Sequence, residues 1–354
     1  MAVSAHRLAR RTPPFPFAGV LLIKLVAASM ILGAAVQNAN AAPLDPEKLG
    51  EFVAYMAQTH KFDADELGTL FAGVERSDDI IAKMSRPAEK AKPWWQYRKI
   101  FISDKRIRDG ARFWRTHRET LNRARDQYGV PPHIIVAILG VETSYGGYTG
   151  NESVIEALST LAFHYPGGSE KRSQFFRAQL EHLLLLAREE ELSPLQLRGS
   201  YAGALGMPQF MPENYRKLAV DFDGDGKRDI WSNAADAIGS IANYFKHFDW
   251  RSGAEVMSPA HIGSAEVSNY IAKAIEPEFS IRELADAGIA PMREPSSSEN
   301  QAALFELKAK SGFEYWLGYW NFYVISRYNP RVKYAMAVAQ LAESIQDSYY
   351  ENVE

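Results

Sequence analysis

Glu142 stands where a side chain could do chemistry. It closes the apolar run Ile134-Ile135-Val136-Ala137-Ile138-Leu139-Gly140-Val141 and is followed at once by the polar, Gly-rich Thr143-Ser144-Tyr145-Gly146-Gly147. A carboxyl between a buried helix and an open loop is partly desolvated. Desolvation disfavours the charged form and keeps a proton available near neutral pH, which a general acid requires. The same placement also suits a glutamate that only hydrogen-bonds to a neighbouring loop, so this segment alone leaves both readings open.

A second stretch, Gly199 to Tyr215 (GSYAGALGMPQFMPENY), combines three glycines and two prolines with the neutral hydrogen-bonding groups of Ser200, Gln209 and Asn214. Small residues permit close backbone approach, and such a loop suits either an uncharged polar ligand such as a glycan or an ordinary connection. In a third stretch, Asp221, Asp223 and Asp225 alternate ahead of Gly226, as in the first half of a calcium loop. Its ligands would be those three carboxylates and the Lys227 carbonyl. Ser232 stands where a standard loop has its bidentate glutamate, so the remaining oxygens fall to Asp229 or to the later Asp236. Alternatively, Asn233 and Asp236 cap a helix from Ala234 to Phe248.

The elements that must position these groups are mostly helical. Pro131 and Pro132 suit a helix entry, and the run to Glu142 is apolar on nearly every side, as in a buried helix. Helices are expected between Asp45 and about Met84, where Phe52, Tyr55 and Met56 recur at helical spacing. A charged one is expected over Ser103 to Tyr128, with Ile107, Ala111, Trp114 and Leu121 as its stripe. Further helices are read at Ser153 to Phe163, Gln174 to Glu191 and Val332 to Tyr349, the last with Tyr334, Val338 and Leu341 inward. Pro87, Pro93 and two tryptophans make Arg86 to Trp95 an extended crossing. Between Arg251 and Gly318 the texture shifts to short segments, with a strand at Ala302 to Lys308 and Ser296-Ser297-Ser298 as a linker or loop, which reads as an inserted small α+β lobe.

Composition narrows the class. The chain has 354 residues, enough for one large domain or two to three lobes, and a formal charge of −3 without a basic run interleaved with aromatics, so no nucleic-acid partner is indicated. Aromatics make up 12% of it, and the cluster Tyr315-Trp316-Leu317-Gly318-Tyr319-Trp320 reads as core by default, although clefts that stack sugars use the same residues. With no cysteine there is neither thiolate chemistry nor a lipid-bearing N-terminal cysteine. Arg7, Arg10 and Arg11 precede an apolar run from Phe17 to Val36 and a small-residue site at Asn38 to Ala42, which reads as a signal peptide over 1–41, or as an uncleaved signal anchor. Either places the remaining chain outside the cytoplasm, with no membrane span of its own.

Taken together, GVETSYGG, GSYAGALGMPQFMPENY, AVDFDGDGKRDIW with ADAIGSIANYF, and NFYVISRYN with YAMAV resemble, in this order, the lytic murein transglycosylase B family. The resemblance implies a mainly α fold: a lysozyme-like helical core (101–250, with the calcium-type loop at 221–236 and a C-terminal return at 319–354), an N-terminal α lobe (42–100) and a small inserted α+β lobe (251–318). It implies a periplasmic enzyme acting on peptidoglycan glycan strands, whose partners would be cell-wall synthesis or hydrolysis proteins. Glu142 matches the family's catalytic acid/base, Ser200 and Gln209 match residues that hold the sugar, and Tyr97, Tyr244, Tyr328, Asn329 and Tyr334 match the cleft lining. The aspartate loop matches a structural calcium site with Asp236 as its distal ligand, and no cofactor is needed for the chemistry. One departure is that Gly167-Gly168 follow the Tyr165-Pro166 turn where basic residues stand in the family's best-known member, with Lys171 and Arg172 further on.

Most retaining glycosidases pair an acid with a second carboxylate about 5 Å away. Apart from Glu213 near the end of the second stretch, no second acid lies in the Glu142 or Ser200 motifs. The expected reaction therefore uses Glu142 twice, protonating the β-1,4 glycosidic oxygen between N-acetylmuramic acid and N-acetylglucosamine and then deprotonating the muramoyl 6-hydroxyl to give a 1,6-anhydro end. The substrate's N-acetyl group would stabilise the oxocarbenium-like centre. A lysozyme-type hydrolase, a non-catalytic peptidoglycan-binding scaffold and, from the aspartate loop alone, a calcium sensor are the alternatives.

Overall fold

The computed structural model describes residues 41–85, 92–263, 266–295 and 299–351. The signal segment before 41, Pro87 in the expected crossing and the Ser296–Ser298 linker lie outside them. The N-terminal part is a short ribbon with helices: β1 (Ala41–Pro43), α1 (Pro46–His60), α2 (Ala64–Phe71), β2 (Glu75–Ser77) and α3 (Asp78–Ser85). Asp45 and Asp63 start α1 and α2 by accepting backbone N–H groups two and three residues on, as N-caps do. The antiparallel pairing of β1 with β2 has no signal in the sequence, because two three-residue strands are too short to show alternation.

The helical core follows. It comprises α4 (Trp94–Phe101), α5 (Asp104–Thr116), α6 (Arg118–Tyr128), α7 (Pro132–Thr143), β3 (Glu152–Ser153), α8 (Val154–Phe163), α9 (Glu170–Glu189), β4 (Arg198–Gly199), α10 (Pro212–Leu218) and α11 (Ala234–His247). Two expectations need correction. Trp94 and Trp95 open a helix instead of extending the crossing, because Pro93 occupies the N-cap with extended backbone and Trp94 and Tyr97 bury one face. The single charged helix expected from Ser103 is two, broken at His117, whose ψ of 25° turns the chain. The helix α9 also starts earlier than its leucine-rich stripe indicates, at Glu170.

The sheet segment contains β5 (Met257–Ile262), β6 (Phe279–Ser280), α12 (Ile281–Asp286), β7 (Ile289–Pro291), β8 (Gln301–Lys308) and β9 (Phe313–Gly318), ordered β6-β8-β9-β5-β7 with every pairing antiparallel. Strand β8 shows why it holds two layers together. Ala302 and Leu304 face a small core with Leu284, Ile289, Leu317 and Tyr319, whereas Ala303, Phe305 and Leu307 join the main helical core. The chain then returns through α13 (Trp320–Tyr328) and α14 (Val332–Glu351). In α7, Ile135 to Leu139 are fully buried, and the helix packs against α5, α6, α11 and α14, so its C-terminal carboxylate is held by a rigid surround. No helix among the described residues is long and apolar enough to cross a membrane.

Candidate active site

Helix α7 ends at Thr143 because Ser144 and Tyr145 adopt left-handed backbone, with φ of 50° and 65°. The Tyr145 N–H reaches back to the Leu139 carbonyl at 2.9 Å, satisfying an orphan acceptor of the last turn. Non-glycine residues pay for this conformation, and here side chains hold it. The Tyr145 hydroxyl donates to the Arg106 carbonyl at 2.6 Å; a Cβ at Gly110 would collide with that hydroxyl, and one at Gly140 with the hydroxyl and the ring. Thr143 Oγ1 donates to the Met207 carbonyl (2.9 Å) and accepts from the Gly146 N–H (3.0 Å). Thr143 therefore fastens the end of α7 to the glycine-rich loop, leaving Glu142 half-buried at the junction.

The Tyr334 hydroxyl, on the first turn of α14, donates to Glu142 Oε1. Tyr334 is buried, and burial, followed by the Glu142 charge, pushes its hydroxyl well above the usual phenol range. Tyr328 is raised in the same way, by burial and then Glu142, and donates to the Pro208 carbonyl at 2.7 Å. Tyr244 is raised mainly by burial, with Glu142 adding to it, and donates to the Arg327 carbonyl at 2.7 Å. The rings of Tyr244 and Tyr328 lie 4.7 Å apart, with Phe210 5.6 and 5.9 Å from them. All three hydroxyls are thus protonated donors at neutral pH. Among the described residues, Glu142 is the one carboxylate whose charge acts on Tyr244 and Tyr328.

The glycine-rich loop is folded by its own hydrogen bonds. Ser200 Oγ accepts from the Ala204 N–H at 3.0 Å, and Leu205 bridges both Gly199 and Phe210. Gln209 has a φ of 53°, and its Nε2 donates to the Thr149 (3.0 Å) and Gly206 (2.9 Å) carbonyls, which fixes the amide plane and leaves Oε1 as its acceptor. Gly206 has a φ of 66°, and a Cβ there would lie 2.5 Å from the Ile230 carbonyl oxygen, so only glycine fits. Asn329 is half-buried beyond α13, and its carbonyl accepts from the Arg331 N–H at 2.7 Å in a tight turn through Pro330. Tyr97 is buried on α4 against Trp94 and Phe101 and lines a hollow of about 470 Å³ with Ile271, Phe305, Arg331 and Lys333. Arg172 lies over the rings of Tyr165, Phe175 and Phe176. Sequence reasoning passed over Thr143, Pro208 and Phe210, although all three lie within the motifs it singled out.

At the aspartate loop, carboxylate oxygens of Asp221, Asp223 and Asp236 lie within 4.8 Å of one another. Asp236 is buried and accepts from the Phe222 and Asp229 N–H groups, both at 2.7 Å, so it ties the two ends of the loop together instead of capping α11. Asn233 is the cap, accepting from the Ala235 N–H at 2.9 Å. Asp229 accepts from the Trp231 and Ser232 N–H groups and is not one of the three carboxylates that converge. Asp225 departs from the expected ligand set: its Oδ1 accepts from the Lys227 N–H at 2.9 Å and it stands outside the converging three. Burial, with the charges of Asp223 and Asp221 adding to it, raises the Asp236 carboxyl. Three like charges this close suit a hard divalent cation, which takes oxygen ligands and relieves their repulsion.

The chain matches the family described as "Transglycosylase SLT domain" over residues 45–343. It is 40% identical over 304 residues to the membrane-bound lytic murein transglycosylase B of Escherichia coli K12, covering 83% of this chain and 81% of that protein. Its fold is similar to the soluble lytic transglycosylase SltB1 of Pseudomonas aeruginosa, with a TM-score of 0.79 and 46% identity over 85% of this chain and 99% of that one. It is also similar to the Escherichia coli lytic transglycosylase Slt35 in complex with calcium, with a TM-score of 0.78 and 38% identity over 89% and 98%. A helical core, a half-buried carboxylate within a tyrosine cluster and these likenesses lead to one conclusion: the chain belongs to the transglycosylase SLT domain family, among the lytic murein transglycosylases of type B.

Proposed function

We propose that this protein is a lytic transglycosylase that cleaves the β-1,4 bond between N-acetylmuramic acid and N-acetylglucosamine and leaves 1,6-anhydromuramoyl ends. The observation that carries the reading is the Glu142 carboxylate held by Tyr334 within the tyrosine cluster. Glu142 is the acid in electrostatic reach of Tyr244 and Tyr328, and the aspartates of the loop are committed to one another and to backbone N–H groups. Among the described residues no second acid acts on Tyr244 and Tyr328 to serve as nucleophile or to activate water, so Glu142 gives its proton to the glycosidic oxygen and takes one from the muramoyl 6-hydroxyl. The departing aglycone oxygen gains the first proton, the 6-oxygen closes on C1 and loses the second, and no water is consumed.

Tyr334 holds one oxygen of Glu142 and so sets the plane of the carboxyl. The Oε1 of Gln209 is an acceptor for an acetamido N–H, and Ser200 and Asn329 supply further polar contacts along the loop. Tyr97 extends the lining. Misplacement by about 1 Å in such a site can lower the rate about 100-fold. The Asp221, Asp223 and Asp236 set would hold a structural calcium, supported by the convergence of their oxygens and by the calcium complex of Slt35. Lobes at 42–100, 101–250, 251–318 and 319–354 belong to the same reading, as does a periplasmic location reached by the N-terminal signal, with protein partners in the cell-wall machinery. Incubating the protein with isolated sacculi and weighing the released muropeptides tests it: anhydro ends support a transglycosylase, and hydrated ends alone would make it a hydrolase.

A further inference from the structure

Of the seven tryptophans, Trp95 stands apart. The others lie in the main apolar core or pack against it, whereas Trp95 belongs to neither core and is half-exposed on α4. It borders a hollow of about 580 Å³, within the range of small-ligand clefts, about 300–1,000 Å³. Three elements distant in sequence build that hollow, each by its own periodicity. On α4, Trp95, Arg98 and Lys99 share one face, and on α14 so do Gln340, Glu343, Ser344 and Asp347. On β9, Glu314 and Trp316 alternate onto the side of their partners Leu307 and Phe305. The walls are fixed from within. Trp316 packs against the main core, and its indole N–H donates to Glu314 Oε2 at 3.2 Å. Arg98 Nε donates to Gln340 Oε1 at 2.6 Å, which leaves its terminal nitrogens as donors. Arg98, Lys99 and Lys310 stand around the same hollow as Glu314, Glu343 and Asp347, so no single-sign field selects a charged ligand.

We propose that this hollow is an accessory carbohydrate site, which stacks a sugar ring of a glycan strand on Trp95 while Arg98, Glu314 and Asp347 hydrogen-bond its hydroxyl and amide groups. The choice of a glycan rests on the reading of the Glu142 site. A pyranose ring presents C–H groups on its face and hydroxyls at its rim, the complement of an exposed indole bordered by polar side chains. The hollow is separate from the cleavage site: Gln340 to Asp347 stand about 9–20 Å along α14 from Tyr334, at about 1.5 Å per residue. On a polymeric substrate a second hold raises the effective concentration of strand at Glu142, an advantage that short fragments do not share.

The probe is chitotetraose, an uncharged β-1,4 tetramer of N-acetylglucosamine, titrated into protein that carries Glu142→Gln to prevent turnover and 5-fluorotryptophan at every tryptophan. The fluorine resonance of Trp95, assigned by its absence from Trp95→Phe, is expected to shift and saturate. Trp95→Ala is expected to lower affinity for isolated sacculi about tenfold in co-sedimentation, as truncating an aromatic anchor does, and Trp95→Phe to recover part of it. A Trp95 resonance unmoved by chitotetraose, or sacculus binding equal in the parent and Trp95→Ala, overturns the assignment. The fluorine signal decides the matter even if Trp95→Ala folds poorly, since it is read with Trp95 in place. Release of anhydro ends by the wild-type protein, with Trp95 unmoved by the probe, removes this site and leaves the reading of Glu142 intact; a Trp95 shift without such release does the reverse.

Discussion

The Tyr334 hydroxyl donates to Glu142 Oε1 across 192 positions of sequence, joining the first turn of the last helix to the last turn of the central one. The C-terminal return of the chain therefore completes the site by orienting its carboxyl. Tyr334→Phe keeps the ring and removes the bond. Hydrogen bonds to charged groups are worth about 1.5–3 kcal/mol, so turnover of sacculi is expected to fall about 10- to 100-fold with little change in melting temperature. Full activity in this variant would show that the carboxyl needs no such support.

Gly140 lies inside a helix, where replacing glycine by alanine ordinarily stabilises by about 1 kcal/mol. Here a Cβ would lie 2.7 Å from the Tyr145 hydroxyl and 2.9 Å from its ring, and that ring closes the Glu142 turn. Gly140→Ala is therefore expected to destabilise by about 1–3 kcal/mol in urea denaturation. A gain in stability would mean that Tyr145 moves aside freely.

The aspartate loop should behave as a structural cation site. Calcium at 100 times its dissociation constant stabilises the folded state by about 2.7 kcal/mol, visible as a raised melting temperature that a chelator reverses. Asp236→Asn should abolish that increment and also weaken the hold on the Phe222 and Asp229 N–H groups. If calcium raises the melting temperature of Asp236→Asn as much as that of the parent, the ligands lie elsewhere.

His133 near the start of α7 is half-buried, and burial lowers its pKa to about 4, below its ordinary value of 6.5. The unfolded chain therefore binds a proton before the folded one does. The stabilisation is complete above about pH 6.5 and is lost as the pH falls toward 4, with about 3 kcal/mol at stake. Replacing the ring by His133→Phe should flatten the dependence of unfolding free energy over that window, and an unaltered slope would assign it to other groups.

Helices with strong apolar periodicity were readable from the chain itself. Glu142 and the residues after it predict both the helix end and its position at a polar loop, because a run of buried residues stopping at glycines has few other outcomes. Pairings between distant segments were not readable by the same logic. Nothing local says that Thr143 meets Met207 or that Tyr328 meets Pro208, since both bonds are set by how α7, α13 and the loop pack. The ribbon of Ala41–Pro43 with Glu75–Ser77 and the breaks at Pro93 and His117 escaped for a different reason: each turns on one or two residues, too few to alter a periodic pattern. Spacing alone could not separate Asp229 from Asp236, because the choice depends on which carboxylate the folded loop turns inward.

In the proposed reaction a single carboxyl both protonates the leaving oxygen and activates the sugar's own hydroxyl. Mass analysis of muropeptides released from sacculi tests it most directly, with Glu142→Gln as the matched control. The expected products are 1,6-anhydro ends, each lighter by one water than a reducing end, with no release by the correctly folded Glu142→Gln variant. Reducing ends as the main product, or continued release by that variant, would contradict it.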